Sequence, residues 1–329
     1  LTGCLVNSED INAGALLKYY TGLMQRFESG LKFEKLINTL GKELLGTAKF
    51  EGEVFLGEND FYTFTYIPPK TGVTKVADLF HVGGMLPYSD RVFRLLPETN
   101  FFKPFIENGI GVYALELKGD VNTNSKLQDF TIPEMLESIH KFSDIAFEHS
   151  GKHKMILEGY CGLGMPSVVS YLADPANMER KFSVIALFTT PVDGRKCPSL
   201  NEAINAFPED FPLIDKLLAF LGNEKTVEYN RGIDLALGSL IDKTAAGRFV
   251  DGWKSGKYAN VNSIADLDFG MRSELAGSYW VSPDSGKRFP MTKDIIKFSQ
   301  TLFIKGVNDD GEIPYQLKGK KFNFNEFKN

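Results

Sequence analysis

Apolar residues recur at two different spacings along the chain, and the change of spacing separates helical from strand-like stretches. Over residues 10–49 they recur every three or four positions, which predicts helices. From Glu53 the spacing shortens, and residues 54–56 and 61–66 read as two strands joined by the turn Gly57-Glu58-Asn59-Asp60. We therefore expect residues 1–50 to form a helical segment ahead of a β-sheet.

Short apolar runs and amphipathic stretches then alternate up to about residue 200. The runs that predict strands are 76–82, 110–117, 155–160 and 182–189, and the stretches that predict helices are 91–108, 131–149 and 164–173. Thr131 and Glu134 have the spacing of a capping box, which marks a helix start. Continuous apolar strands alternating with helices are typical of a mostly parallel sheet covered on both faces. The predicted fold class is α/β, with its core in residues 51–204.

The regular alternation is lost over residues 205–290, so we expect an insertion or lid over the sheet there. Residues 291–329 are predicted to return to the core. Their last part, 304–329, reads as polar and rich in turns, with no terminal strand or helix to close the sheet. We therefore expect the C-terminal part of the core to be missing from this chain.

Charge and hydropathy argue against two classes of partner. The net charge of -5 disfavours nucleic acid, because affinity for nucleic acid rests mainly on Lys and Arg neutralising phosphates. No apolar run approaches the roughly 20 residues that a membrane-spanning helix needs, so no transmembrane segment is predicted.

The cysteines are few and widely spaced. Cys4, Cys161 and Cys197 form an odd set that does not resemble a disulfide framework, which favours a reducing cytoplasm as the location. One competing signal is Leu1-Thr2-Gly3-Cys4, which has the form of a bacterial lipoprotein processing box, a short motif with a high false-positive rate.

Cys161 lies between a predicted strand and a predicted helix, with glycines at positions 159, 162 and 164. This is the layout of the nucleophile elbow of α/β-hydrolases, in which a sharp turn exposes the nucleophile. The positive end of the following helix would favour a thiolate at Cys161, and the amide of Gly162 could donate to an oxyanion. Alternatively, Cys161 is a buried cysteine that packs as a small apolar residue.

A second glycine-rich segment, His81-Val82-Gly83-Gly84, ends the first predicted core strand. Such a turn commonly supplies the other oxyanion amide in this fold, here from Val82. His81 and Gly83, together with Gly159 and Gly164, would then support the turn around the site. The alternative is an ordinary turn after a strand, which two glycines also favour.

The histidines do not fit the usual chain order of a catalytic triad. In this fold the acid and then the histidine follow the nucleophile, yet the four histidines all precede Cys161, at positions 81, 140, 149 and 153. Either the protein is catalytically inactive, or its catalytic acid and base lie beyond Asn329. We expect the second, so this chain alone would be inactive.

Several segments carry a resemblance to one family. Gly159, Tyr160 and Cys161 match the first half of a Gly-x-Cys-x-Gly-Gly box, in which Leu163 replaces the first glycine of the final pair and Gly164 retains the second. Further matching segments are 95–100, 188–193 and, weakly, 304–329, together with Pro166 and the pattern Pro191-x-Asp193-x-Arg195-x-x-Pro198. On these motifs the chain resembles the polyhydroxyalkanoate synthases and intracellular polyhydroxyalkanoate depolymerases of the α/β-hydrolase superfamily.

The resemblance implies an acyltransferase in which the nucleophile Cys161 takes an acyl group from a 3-hydroxyacyl-coenzyme A. Amides near Gly162 and Val82 would hold the oxyanion. A polyester depolymerase or another esterase or thioesterase of the same fold, and a non-catalytic protein of this fold, are the alternatives.

The resemblance also bears on partners and on neighbouring residues. It implies no cofactor and no metal, a cytoplasmic protein that can associate with polymer granules, and either a homo-oligomer or a small partner subunit. Asp193 and Arg195 are predicted to be structural, since an aspartate just after a strand usually caps or turns the chain.

Overall fold

The chain forms two compact units, residues 1–46 with 237–282 and residues 47–236 with 283–329. A computed structural model of the protein describes residues 14, 16–22, 24, 48–83, 90–94, 96, 100–118, 124–196, 226–227, 255–256, 266–268, 270–272 and 291–328. In the first unit residues 16–22 are helical, as the sequence predicts, and Leu267 is buried. Most of the predicted lid over 205–290 lies outside the described residues.

The second unit is built on a six-stranded sheet. Its strands are β1 (Val54–Glu58), β2 (Tyr62–Ile67), β3 (Ala77–Val82), β4 (Ile110–Leu117), β5 (Met155–Tyr160) and β6 (Phe182–Phe188). Their order is β1-β2-β4-β3-β5-β6. β2 is antiparallel to both neighbours, whereas β4, β3, β5 and β6 run parallel. The predicted α/β class with a mostly parallel sheet is confirmed.

The first two strands form the predicted hairpin, although β1 extends through Glu58 and the turn begins later than expected. The Asn59 side chain makes this turn, because its Oδ1 accepts hydrogen bonds from the amides of Phe61 and Tyr62 at 2.9 and 2.7 Å. The Asn59 side chain thus takes over the hydrogen bonding of the backbone where the strand ladder ends and the chain reverses.

Five α-helices have described bounds in the second unit. They are α1 (Lys103–Glu107), α2 (Ile132–His149), α3 (Gly164–Ala173), α4 (Pro175–Lys181) and α5 (Lys293–Ile304). The capping box predicted for α2 is confirmed, since the Thr131 side chain accepts from the Glu134 amide and the Glu134 carboxylate accepts from the Thr131 amide. Short 3-10 helices cover Asp90–Arg94, Ser125–Asp129, Cys161–Leu163, Gly194–Lys196 and Phe324–Lys328.

The single helix predicted over residues 91–108 is wrong, because the chain breaks in the middle. The 3-10 helix ends at Arg94, and Leu96 takes a left-handed φ of 63°, which no right-handed helix can include. The Asn100 side chain then accepts from the amides of Phe102 and Lys103 and starts α1. The apolar spacing continues across this break because both pieces pack on the same face of the sheet.

Helices and aromatic side chains cover both faces of the sheet. On one face Phe64 and Phe80 pack with Phe142 of α2 and Val169 of α3 in one continuous cluster. On the other face a smaller cluster joins Leu79 and Val112 to side chains of the 3-10 helix Asp90–Arg94 and of α1. No helix in the described part of the chain has both the length and the apolar content of a membrane span.

The C-terminal residues contain a hairpin that the sequence reading missed. β9 (Glu312–Leu317) and β10 (Lys320–Asn323) pair antiparallel around Lys318 and Gly319, which both have positive φ, as a two-residue hairpin turn requires. Ile313 and Phe322 are buried in the core. The hairpin is a sheet of its own, as is the short pair β7 (Thr226–Val227) with β8 (Met291–Thr292). Only alternate residues of the hairpin face the core, so the segment reads as polar.

Candidate active site at the turn after β5

Cys161 occupies a strained turn between β5 and α3. It follows the last residue of β5 directly and opens the 3-10 helix that leads into Gly164 of α3. Its φ is 47°, in the left-handed region that costs a non-glycine residue roughly 1–2 kcal/mol. Thr189, at the end of the neighbouring strand β6, has a φ of 51°. Strained backbone at the carboxyl ends of two adjacent strands is a feature of functional sites.

The two glycines predicted to support this turn, Gly159 and Gly164, lie where the chain packs too closely to admit a side chain. A Cβ on Gly159 would lie 2.6 Å from Cα of Gly164 and 2.9 Å from the Ser167 hydroxyl. A Cβ on Gly164 would lie 2.6 Å from Cβ of Thr190 and still closer to its hydroxyl and methyl groups. Both glycines therefore let α3 approach the ends of β5 and β6, which is the packing that a strand-turn-helix elbow needs.

The thiol of Cys161 does not have the thiolate character expected from the helix that follows. Burial raises the pKa of Cys161, and a hydrogen bond from the backbone of Gly162 lowers it by less than burial raises it. The expectation of a lowered pKa is therefore wrong, because the loss of hydration on burial outweighs the hydrogen bond from Gly162. The Gly162 amide lies next to the sulfur, and its role as an oxyanion donor stays a prediction.

The segment predicted to hold the second oxyanion amide is partly strand. His81 and Val82 are the last two residues of β3, within the predicted strand run 76–82, and both continue the ladder with β4 and β5. Val82 lies beside Gly159, two residues before Cys161, so the two candidate oxyanion donors come from adjacent strand ends. The amide of Gly83 donates to the carbonyl of Leu115 at 3.1 Å, which ends the ladder. Gly84 lies outside the described residues.

A buried ion pair, His81 with Glu158, joins β3 to β5 and was missed in the sequence. Nδ1 of His81 is hydrogen-bonded to Oε2 of Glu158, and both side chains are fully buried. The rings of Phe93, Phe101 and Phe102 enclose the imidazole, with centroids 4.5, 5.4 and 5.1 Å away. The signal that could have found this pair was the presence of titratable residues inside two otherwise apolar runs, His81 with Asp78 in β3 and Glu158 in β5.

Stability is expected to fall on the alkaline side because of His81. Burial disfavours the imidazolium, but the carboxylates of Glu158, Asp90 and Glu116 outweigh burial and raise the pKa of His81 above its ordinary value. The stabilisation is therefore fully present below about pH 6.5, the pKa of an unfolded histidine, and is lost as the pH rises through the higher folded value. Urea unfolding from about pH 6 to pH 9 measures this decline. A variant with His81→Phe and Glu158→Leu should lack it, and an equal decline in that variant would contradict the assignment.

Two other histidines, His140 and His149, belong to α2. Nδ1 of His149 is hydrogen-bonded to the Tyr113 hydroxyl at 2.8 Å. Burial and the nearby Lys181 lower the pKa of His140. Within the described residues no group of three or more histidine, cysteine, aspartate or glutamate side chains is arranged to hold a metal ion.

Asp193 and Arg195 form a clasp in the loop after β6. Nε and Nη2 of Arg195 donate to the two carboxylate oxygens of Asp193 at 2.8 and 2.9 Å, and Nη2 also donates to the carbonyl of Val307 at 2.8 Å. Arg195 lowers the pKa of Asp193 through this hydrogen bond. The clasp ties the loop after β6 to the segment after α5, which is the structural role predicted for these residues.

The strand order and the strand-turn-helix geometry together are those of the α/β-hydrolase fold. No protein-family model matches the sequence, and no curated protein matches it.

Solved structures with partial similarity include three bacterial enzymes. A thermostable carboxyl esterase from Bacillus coagulans is 14% identical, with a TM-score of 0.36, and the match covers 65% of this chain and 67% of the esterase. An epoxide hydrolase from Bacillus megaterium is 14% identical, with a TM-score of 0.37 and coverage of 71% and 75%. A 2-hydroxy-6-oxo-6-phenylhexa-2,4-dienoate hydrolase from a Rhodococcus strain is 14% identical, with a TM-score of 0.31 and coverage of 71% and 73%.

Proposed function

We propose that this protein is a polyhydroxyalkanoate synthase-like acyltransferase in which Cys161 carries the acyl group. The observation that supports the proposal most is the left-handed backbone of Cys161 between β5 and α3. A structural cysteine gains nothing from this conformation, whereas a nucleophile needs it to project from a sharp turn. The match of residues 159–161 to the synthase box adds the substrate class, a 3-hydroxyacyl-coenzyme A.

The proposed reaction has two transfers. The sulfur of Cys161 attacks the thioester carbonyl carbon, the bond to the coenzyme A sulfur breaks, and the proton lost by Cys161 ends on the released coenzyme A. The hydroxyl of a second acyl unit then attacks the enzyme thioester, and Cys161 recovers a proton. Amides of Gly162 and Val82 would stabilise the oxyanion in both steps. Because burial raises the pKa of Cys161, the first step needs a base to remove the thiol proton.

Two alternative functions would account for the same observations. A depolymerase or esterase would take its acyl group from a polyester or another ester and pass it to water or a thiol. A non-catalytic protein of this fold is favoured by one specific observation, the raised pKa of Cys161, since a thiol that stays protonated is a weak nucleophile. The expected product separates the first two, because a synthase forms polymer and a depolymerase releases soluble acid.

Acylation of Cys161 is the expected result with a radiolabelled 3-hydroxybutyryl-coenzyme A. The label should survive denaturation in acid, be released by hydroxylamine, and map by mass spectrometry to the peptide that contains Cys161. Incubation at about pH 9 increases the thiolate fraction and makes the step measurable. Cys161→Ala should remove the label completely, while its thermal stability stays close to that of the wild type because alanine carries the same backbone strain.

The other two cysteines provide the matched control. Cys4→Ala with Cys197→Ala should label at the wild-type rate, because only the sulfur at position 161 is proposed to react. Label that persists in Cys161→Ala, or that disappears in the double control, would refute the assignment of the nucleophile.

The proposal extends to the surroundings of the enzyme. A polyester product would bring the protein to the surface of polymer granules in the cytoplasm, as a homo-oligomer or with a small partner subunit. Copurification with granules from cells that make the polymer tests this extension separately from the chemistry.

A further inference from the structure

Four strands place a row of matched residues across the sheet just below the elbow. In the registers of the parallel strands, Ala114 of β4 lies beside His81 of β3, His81 beside Glu158 of β5, and Glu158 beside Ala186 of β6. The His81–Glu158 pair thus has one alanine on either side. These small residues leave room for the two polar side chains on this face of the sheet. This arrangement accommodates an ion pair between two neighbouring parallel strands of the sheet.

The His81–Glu158 pair favours one register of β3 relative to β5 over registers that are shifted along the strands. Around it the two strands are apolar, with Leu79, Phe80 and Val82 opposite Ile156, Leu157 and Gly159. A slip by two residues would keep every side chain on its own face, so burial of apolar surface opposes it only weakly. It would, however, separate His81 from Glu158 by about 7 Å along the strands and leave both buried without a partner. Buried ionic groups are best known for selecting a register in this way.

This register decides what lies next to Cys161. It sets Val82 beside Gly159, and therefore sets the distance between the candidate oxyanion amide of β3 and the cysteine that follows β5. Side-chain contacts also connect the pair to the residue before Cys161. Phe93 and Phe101 pack on the imidazole of His81 and also on the ring of Tyr160, at 4.9 and 5.3 Å, and Tyr160 precedes Cys161 directly.

We infer that His81 and Glu158 are a positioning pair for the candidate acyl-transfer site: their buried hydrogen bond fixes the register of β3 and β5 and holds Val82, Tyr160 and Cys161 in one arrangement. The inference rests on the proposed function of Cys161. The charged groups that face the imidazole are Glu158 from β5, Glu116 from β4 and Asp90 from the 3-10 helix, and Arg94 of that helix binds Glu116. The pair acts through the strands and aromatic rings and does not itself touch the substrate.

The test compares an apolar and a polar replacement of the pair in the full chain. In His81→Phe with Glu158→Leu the ion pair is replaced by apolar groups, a change that usually leaves stability unchanged or raised. We expect this variant to melt at or above the wild-type temperature, yet to be acylated by 3-hydroxybutyryl-coenzyme A at least tenfold more slowly. Glu158→Gln keeps the hydrogen bond to His81 and should be acylated within threefold of the wild-type rate. A purely structural pair predicts equal acylation in all three proteins, and that result would overturn the inference.

Hydrogen exchange of the backbone amides in 77–82 and 155–160 provides a readout that needs no acyl transfer. Faster exchange in both strands of the apolar variant, at an unchanged melting temperature, supports a loosened register, and wild-type exchange contradicts it. If the wild-type protein itself is not acylated, the proposed function is refuted. The exchange data then still show whether the pair fixes the register of β3 and β5. If the apolar variant does not fold, Glu158→Leu alone, which removes the hydrogen bond to His81, is compared with Glu158→Gln, which keeps it. Faster exchange in both strands and an acylation at least tenfold slower in Glu158→Leu support the inference, and equal exchange and acylation in these two variants overturn it.

Discussion

Replacing Arg94 by methionine is expected to lower the free energy of unfolding by about 3 kcal/mol, the lower end of the cost of breaking a buried ion pair, because it leaves two partly buried carboxylates without their cation. Nε and Nη2 of Arg94 donate to the Glu116 carboxylate at 2.6–2.9 Å, and Nη1 lies 2.7 Å from the Glu53 carboxylate. Nη2 also donates to the Thr65 hydroxyl at 3.0 Å. The arginine side chain is only 8% exposed, and its two acidic partners are 20% exposed or less. Urea unfolding of the full chain at neutral pH measures the loss.

Two further variants test whether the unpaired carboxylate charge causes the loss of stability. Adding Glu116→Gln to Arg94→Met should recover part of the lost stability, since an uncharged amide is cheaper to bury than an unpaired carboxylate. Lys70→Met is the matched control, because Lys70 pairs with Glu107 at 3.4 Å on the surface, with the lysine side chain 61% exposed. Its loss should stay below about 1 kcal/mol. An Arg94→Met loss no larger than that of Lys70→Met would show that the buried network contributes little.

Gly164→Ala is expected to destabilise the second unit by about 2–3 kcal/mol, the usual cost of forcing extra volume into a packed interior. The new methyl group would meet the Cβ, methyl and hydroxyl groups of Thr190 together, so rotating one side-chain bond cannot relieve the overlap. Thr190 follows Thr189, whose left-handed backbone leaves it little freedom to shift. Thermal unfolding measures the loss, and acylation of Cys161 should fall with it because the elbow must widen.

Gly22→Ala is the control for this substitution. A Cβ on Gly22 meets nothing within 4 Å, and the residue is helical, so alanine should be neutral or stabilise by up to about 1 kcal/mol. Combining Gly164→Ala with Thr190→Gly should restore much of the lost stability, since it removes the atoms that collide. A Gly164→Ala protein as stable as the wild type would mean that α3 does not need its close approach to β6.

Local patterns in the sequence were sufficient to predict much of the framework. Continuous apolar runs marked β4 and β5 to the residue, and the Thr131 to Glu134 spacing marked the start of α2. The same reasoning failed where one apolar spacing ran across a break at Leu96, and where the hairpin of β9 and β10 buried only alternate residues. In both cases the deciding contacts come from residues far away in the chain.

For the candidate site too, local backbone features were predictable from the sequence, whereas features that depend on the whole fold were not. The glycine spacing around Cys161 located a turn between a strand and a helix, because local backbone geometry is encoded by adjacent residues. The thiol pKa was predicted with the wrong sign, since the degree of burial depends on what the rest of the fold places over the sulfur.

The sequence by itself determined the α/β class, most strands of the central sheet and the position of Cys161 at the end of one of them. Only the tertiary structure decided that His81 and Glu158 form a buried pair, that Thr190 is the reason for Gly164, and that Val82 lies beside Gly159. The physical reason is that periodicity is a property of neighbouring residues along the chain, whereas these contacts join residues far apart in sequence, such as His81 and Glu158 at a separation of 77 residues, and depend on how the strands are aligned.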